Sequence, residues 1–142
     1  MALTIRDARA EDAGAVAALL GQLGYPAEPA AVRRRIASLQ EAGDLLVVAE
    51  AEGTVVGLAS IHVSPSLEYD APAAKLSALA VDEGHRGRGV GRALVAAIET
   101  EARVRGCVLL FLTSAERRND AHAFYERIGF AHTGRRFAKT LD

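Results

Sequence analysis

The spacing of apolar residues along the chain predicts strands that alternate with helices. Runs that are apolar throughout, or apolar at every second position, predict strands, whereas apolar residues three and four positions apart predict amphipathic helices. The predicted strands cover residues 3–5, 45–49, 55–61, 75–81 and 108–112. The predicted helices cover residues 13–20, 29–43, 92–105 and 119–128. Two short extended segments, 130–133 and 137–140, complete the predicted order β-α-α-β-β-β-α-β-α-β-β.

Turn and cap residues mark the ends of these elements. Asp12 is a candidate N-cap of the first helix, and Pro29 suits the first turn of the second. Glu52 and Gly53 lie between two strands and indicate a hairpin. Residues 64–74 contain two prolines and no clear period, so we predict a loop there. A hairpin followed by strand–helix–strand crossovers predicts one α/β domain over residues 1–142, with a mixed sheet and helices on both faces.

Composition and charge exclude several classes of partner. The chain has 142 residues, 50% of them apolar, and a net charge of −1, so it offers no broad basic field for nucleic acid. No window approaches the roughly 20 apolar residues of a membrane span. The single cysteine, Cys107, fits a reducing compartment, and we expect a cytoplasmic protein. The four histidines are too scattered to predict a metal site: His62, His85, His122 and His132.

The segment of residues 84–91, GHRGRGVG, carries the strongest chemical signal in the chain. It lies between a predicted strand and a predicted helix, and its glycines have no Cβ to keep a ligand from the backbone amides. The start of the helix adds unpaired N–H groups and a positive dipole end, which suit a diphosphate. A P-loop needs Lys followed by Ser or Thr after its last glycine, and here Val90-Gly91-Arg92 stands instead. A dinucleotide fingerprint needs a wider glycine spacing.

This segment and a later one resemble two motifs of the GNAT superfamily of acyl-CoA-dependent N-acyltransferases. Arg86-x-x-Gly89-x-Gly91 matches the family's Q/R-x-x-G-x-G/A motif, and residues 79–82, LAVD, resemble the strand before it. Residues 121–130, AHAFYERIGF, are similar to the family's second motif, A-x-x-[FL]-Y-E-x-x-G-F. The order of the elements also agrees along nearly the whole chain.

The resemblance implies where acetyl-CoA binds. In the family the sheet splays between the fourth and fifth strands, and the pantetheine arm of CoA enters that wedge and pairs with the strand backbone. The diphosphate is expected on the amides of residues 88–92, with nearby guanidinium groups adding charge-assisted contacts. Asn119 lies one position after the asparagine that touches CoA in many relatives. The cofactor-binding residues expected on this basis are Leu79, Ala80, Val81, Arg86, Gly87, Arg88, Gly89, Val90, Gly91, Arg92, Asn119 and Phe124.

The resemblance also assigns a catalytic residue but leaves the base open. Tyr125 is expected beside the CoA sulfur as general acid, because a phenol with an ordinary pKa of about 10 is protonated at neutral pH. Ser77 stands where many relatives have glutamate. A neutral hydroxyl is not basic enough to replace it, but it could hold a water that relays the proton. Glu68 and Asp70 either bind or deprotonate the amine or are exposed loop acids. Tyr25 either lines the acceptor site or packs under a turn.

The expected function is therefore transfer of an acetyl group from acetyl-CoA to a primary amine. Direct transfer is expected, since no cysteine is placed to take the acyl group first. The alternative is a non-catalytic acyl-CoA-binding sensor or regulator, which the serine at position 77 suggests. The acceptor stays open, with a small cationic amine favoured by the acidic loop residues. Dimerisation is common in the family, so the resemblance implies that the chain could form a homodimer. No metal is expected.

Overall fold

From residue 3 to residue 127 the strands and helices follow the predicted order, and the computed structural model describes residues 2–114 and 119–141. The strands are β1 (Leu3–Asp7), β2 (Leu45–Ala51), β3 (Thr54–Ser64), β4 (Ala73–Val81) and β5 (Leu109–Phe111). The α-helices are α1 (Ala13–Leu23), α2 (Pro29–Glu41), α3 (Val90–Val104) and α4 (Asn119–Arg127). In the part of the chain that the structure describes, none of the helices combines the length and apolarity needed to cross a membrane.

The five strands form one mixed sheet in the order β1-β2-β3-β4-β5, which confirms the predicted fold class. Adjacent strands from β1 to β4 are antiparallel to one another, and β5 is parallel to β4. The predicted hairpin joins β2 to β3. Glu52 and Gly53 both have positive φ, 51° and 80°, which suits the right-handed twist of the flanking strands.

Helices cover both faces of the sheet, as predicted. On one face, α3 buries Leu94 and Ile98, each 0% exposed, against the sheet. On the other face, α1 and α2 bury a second cluster that includes Val32 and Leu58. Neighbouring residues of β2 point to opposite clusters, Val47 to the first and Val48 to the second. Both faces of the central strands are therefore buried, which explains their nearly continuous apolar sequence.

The sheet opens between β4 and β5, and this confirms the predicted splay. The two strands pair only through Ala73 with Leu109, Ala74 with Leu110, and Lys75 with Phe111. Beyond this point β4 continues to residue 81, whereas β5 ends. Within the described residues, the last part of β4 therefore has strand partners on its β3 side alone.

The prediction of two final strands is wrong. Residues 130–141 form no strand, and every residue from 131 to 141 is exposed. Phe137 is 90% exposed and Leu141 is 86% exposed, so the segment buries no apolar face of its own. A strand needs a hydrogen-bonded neighbour as well as a period-two pattern, and this segment has no ladder partner among the described residues.

Asp12 occupies the predicted N-cap position of α1, but its side chain bonds elsewhere. Its side chain makes no capping hydrogen bond to that helix. Instead it accepts a 2.7 Å bond from the backbone N–H of Arg9 and bonds of 2.8 and 2.9 Å from the guanidinium of Arg6. The bonds from Arg6 are the largest cause that holds the pKa of Asp12 below its ordinary value, against the opposing effect of burial. The pair ties β1 to the start of α1.

Candidate active site

A cavity of about 520 Å³ lies beside the end of β4, next to the opening in the sheet. Its walls come from α1, β4, the glycine-rich loop, the first turn of α3, and α4. The lining residues are Leu19, Gln22, Leu23, Leu79, Ala80, Val81, His85, Arg86, Gly87, Gly89, Val90, Gly91, Arg92, Asp120, Ala121, Phe124, Tyr125 and Arg127.

The glycine-rich loop presents the start of α3 to this cavity. Gly87 and Gly89 have φ of 76° and 84°, a left-handed conformation that glycine adopts without steric cost. Gly89 is the N-cap of α3, so the helix begins at Val90, two residues earlier than predicted. The first amides of an α-helix have no partner within the helix. Arg86 donates from Nε to the carbonyl of Val81, at 3.2 Å, and fastens the loop to the end of β4.

Helix α4 packs directly on the first turn of α3 because Gly91 has no side chain. A Cβ at Gly91 would lie 3.1 Å from Cζ of Phe124, which is closer than ordinary van der Waals contact. The ring of Phe124 lies edge-on to that of Tyr125, with centroids 5.5 Å apart, and Tyr125 lies edge-on to Phe130 at 5.8 Å. These contacts place the predicted general acid on the cavity that the glycine loop lines.

The structure brings most of the predicted site residues together, with two exceptions. Arg88 does not line the main cavity; it lines a smaller one of about 240 Å³, which it shares with Glu52 of the β2–β3 turn, Thr54 at the start of β3, and His85. The predicted contact of the Asn119 side chain lies outside the described residues. The predicted residues that do line the main cavity are Leu79, Ala80, Val81, Arg86, Gly87, Gly89, Val90, Gly91, Arg92, Phe124 and Tyr125.

Sequence reasoning missed several residues that line the same cavity. Asp120 and Arg127 lie four residues before and three residues after Phe124 on α4. Residues at these spacings share one helix face, so the second motif contained a signal for both of them. Gln22 of α1 had no such signal, because it is an exposed polar residue on a helix far away in sequence.

Gln22 belongs to a hydrogen-bonded network that holds the turn before the glycine loop. Its Nε2 donates to Oδ1 of Asp82 at 2.9 Å, and its Oε1 accepts from the backbone N–H of Glu83 at 2.9 Å. Asp82 also accepts from the N–H of Gly84 at 3.1 Å and contacts Nδ1 of His85 at 2.8 Å. The bond from Gln22, and then that from His85, hold the pKa of Asp82 below its ordinary value. The network joins α1 to the loop.

Ser77 and Tyr25, which the sequence suggested for the acceptor site, do not line this cavity. Ser77 is an extra residue in β4, since Ser60 pairs with Ala78 and the next residue, Ile61, pairs with Leu76. Its hydroxyl lies 2.9 Å from Oγ of Ser60 and donates to the carbonyl of Ser60 at 3.3 Å. Tyr25 is 67% exposed, so it does not pack under a turn.

The acidic loop residues and the cysteine that the sequence singled out do not line the cavity. Glu68 and Asp70 are both exposed, and neither lines it. Cys107 is half-buried against the apolar cluster that includes α3. Among residues 2–114 and 119–141 there is no group of three or more His, Cys, Asp or Glu side chains arranged to hold a metal ion.

Comparison with known proteins identifies the family. The model described as the acetyltransferase (GNAT) family matches residues 11–130. Aminoalkylphosphonate N-acetyltransferase of Salmonella typhimurium is 37% identical over 89 residues, which are 63% of this chain and 58% of that protein. Aminoglycoside N(6')-acetyltransferase type 1 of Stenotrophomonas maltophilia is 34% identical over 137 residues, 93% of this chain and 88% of that protein.

A solved structure agrees over almost the full length. The crystal structure of a transcriptional regulator from Bacillus halodurans C-125 superposes with a TM-score of 0.90 at 27% identity, and the match covers 99% of this chain and 100% of that one. The chain spans just over half the length of the Salmonella relative, 58%, and most of the Stenotrophomonas relative, 88%. The resemblance seen in the two motifs is confirmed, and the chain belongs to the acetyltransferase (GNAT) family.

Proposed function

We propose that this chain is an enzyme that transfers an acetyl group from acetyl-CoA to a primary amine. The observation that carries the proposal is that the left-handed glycine loop, the start of α3 and Tyr125 line one cavity. Relatives named as N-acetyltransferases for an aminoalkylphosphonate and for an aminoglycoside support it, since both acceptors are amines. A cytoplasmic location and a homodimer stay predictions from the sequence.

The proposed position of acetyl-CoA follows from the groups that the cavity offers. The diphosphate binds the amides at the start of α3 and the guanidinium groups of Arg86 and Arg92, because a helix N-terminus and arginine both favour anions. The pantetheine arm pairs with the backbone of Leu79, Ala80 and Val81, where β4 has left β5. The thioester then points towards α4.

In the proposed reaction the amine nitrogen attacks the thioester carbonyl and forms the new C–N bond. The C–S bond then breaks, and the departing thiolate takes a proton from the hydroxyl of Tyr125. The ammonium form of the amine must lose one proton to solvent before attack. The nitrogen loses a second proton as the amide forms, and that proton restores the phenol by way of solvent. Ser77 cannot act as the base, because its hydroxyl is neutral and is already hydrogen-bonded to Ser60.

The acceptor that we propose is a small amine. The cavity has an acidic residue on α4, Asp120, beside its cationic groups, and its volume of about 520 Å³ suits a cofactor arm with a small acceptor. The arginines serve the phosphates in this proposal, which leaves the carboxylate of Asp120 to attract a cationic acceptor.

Two measurements test the proposal together. Acetyl-CoA should raise the melting temperature of the protein, and free thiol should appear when a panel of small amines is added with acetyl-CoA. Mixtures without an amine, and mixtures with desulfo-CoA, serve as controls for hydrolysis and for binding alone. Stabilisation by acetyl-CoA without thiol release for any amine would favour the alternative function, a non-catalytic acyl-CoA sensor. Ser77, which stands in β4 in place of an acid, is the observation that suggests this alternative. An unchanged melting temperature in acetyl-CoA would contradict both functions.

A further inference from the structure

The contact between Asp82 and His85 fixes which nitrogen of the imidazole carries hydrogen. Nδ1 of His85 lies 2.8 Å from Oδ2 of Asp82. The same carboxylate accepts bonds from Gln22 and from the N–H of Gly84, and its pKa is lowered, so it is ionised and can only accept. Nδ1 must therefore be the donor. The neutral ring then has a lone pair on Nε2, and Nε2 gains hydrogen only when the ring is protonated.

His85 stands where the proposed diphosphate site begins. It lines the main cavity together with Arg86, Gly87 and Gly89, and its side chain is 31% exposed. Because Nδ1 is committed to Asp82, only Nε2 is available to a ligand. A phosphate oxygen accepts hydrogen bonds and donates none, so the neutral ring would turn a lone pair towards it, whereas the protonated ring would donate.

The charged groups around the ring have both signs. Asp82 is in direct contact with it. The charged residues that line the two cavities to which His85 belongs are Arg86, Arg92, Asp120 and Arg127 in the larger one and Glu52 and Arg88 in the smaller one. The surroundings of the imidazole thus hold four guanidinium groups and three carboxylates. A bound diphosphate would add two negative charges next to the arginines.

We propose that His85 is a binding residue for the diphosphate of acetyl-CoA, and that it binds as the imidazolium, with Asp82 as its positioning residue. One proton passes from the buffer to Nε2 of His85 when the cofactor binds. The inference rests on the proposed function, because it needs the diphosphate in the main cavity.

Proton uptake sets the direction of the pH dependence. A ligand that binds the protonated form better binds most tightly at low pH and loses affinity as the pH rises. With one linked proton the dissociation constant rises at most about tenfold per pH unit. The diphosphate contributes no titration near neutral pH, since its two charges are permanent there.

Calorimetry in two buffers tests the inference. Binding of 3'-dephospho-acetyl-CoA, which lacks the titrating phosphomonoester, is measured at about pH 7.5 in Tris and in HEPES, whose ionisation enthalpies differ. The difference in binding enthalpy gives the number of protons taken up or released, and we expect uptake. His85→Gln keeps hydrogen-bond donors without a titrating ring, and uptake should vanish in this variant. Its affinity at low pH should fall roughly tenfold, which is the loss of one charge-assisted hydrogen bond.

The chain offers a matched control. His62 also has Nδ1 against a carboxylate, that of Asp44 at 2.7 Å, but it does not line the main cavity. His62→Gln should leave proton uptake and affinity unchanged. Wild-type binding without proton uptake would overturn the inference and leave the proposed function intact, as would uptake that persists in His85→Gln. The absence of any binding by the wild type would instead remove the proposed function.

Discussion

Gly57→Ala tests how closely α3 packs on the sheet, and with it the position of the glycine loop. Gly57 lies on β3 opposite Val81. A Cβ there would lie 3.0 Å from Cδ1 of Leu94, 3.0 Å from Cγ1 of Val90 and 3.1 Å from the carbonyl oxygen of Ala80. Both side chains are buried, Leu94 at 0% and Val90 at 1% exposure, so neither has open space to rotate into. The new methyl group therefore pushes α3 away from the sheet.

The magnitude follows from two opposing effects. Overpacking a buried site costs about 1–3 kcal/mol, and replacing glycine in a strand regains about 0.5–1 kcal/mol of backbone entropy. The net loss is about 1–2 kcal/mol in the free energy of unfolding, which in a domain of this size lowers the melting temperature by roughly 3–6 °C. Val90 is the first residue of α3, so the shift also moves the amides at the loop, and affinity for acetyl-CoA should fall roughly tenfold.

Thermal unfolding and acetyl-CoA titration of the variant measure both effects. Gly21→Ala is the control, because Gly21 is helical and a Cβ there would meet no atom within 4 Å. This control should bind acetyl-CoA normally and gain up to about 1 kcal/mol in stability. A Gly57→Ala protein as stable as wild type, with unchanged affinity, would show that α3 does not depend on this close approach.

Three other substitutions test separate parts of the site and fold. Tyr125→Phe should lower turnover roughly ten- to a thousand-fold with acetyl-CoA affinity retained, whereas Tyr69→Phe in the exposed loop should change neither, as thiol-release kinetics would show. Arg92→Gln should weaken acetyl-CoA binding by roughly ten- to a hundred-fold, in contrast to Arg103→Gln near the other end of α3, and equal affinities would exclude the phosphate contact. Asp12→Asn should cost about 2 kcal/mol at neutral pH. The pKa of Asp12 is lowered on folding, so its contribution is present above the ordinary value of 3.8 and is lost as the pH falls through the folded-state value. A variant whose stability follows the wild-type curve down to acid pH would contradict this assignment.

The central sheet could be predicted from the sequence because its strands are buried on both faces. Residues 45–49 and 55–61 are nearly all apolar, and β2 and β3 include them. Both strands run further than predicted, β3 as far as Ser64. The hydrogen-bonded ladder with β4 continues through His62, where the apolar pattern has already stopped. Backbone pairing thus extends a strand beyond what side-chain burial alone indicates.

The network at Gln22 shows why part of the site could not be predicted. The glycine loop and the Tyr125 motif are local in sequence, so their spacing alone indicates a ligand site. Gln22 and Asp82 are 60 residues apart, and their contact exists only because α1 packs across β4. No residue type or spacing near Gln22 distinguishes it from other exposed glutamines.

The arginines of the loop show a second limit, which is the direction of a side chain. Arg86 and Arg88 both flank Gly87, and the sequence offers no reason to separate them. Glycine adopts positive and negative φ almost equally, so the letters alone do not fix the turn. With Gly87 and Gly89 both at positive φ, Arg86 lines the large cavity and Arg88 lines the small one with Glu52. The prediction placed three guanidinium groups at the diphosphate, those of Arg86, Arg88 and Arg92, and of these Arg86 and Arg92 line the large cavity. A protonated His85 beside Arg86 would add a positive charge there when the diphosphate binds.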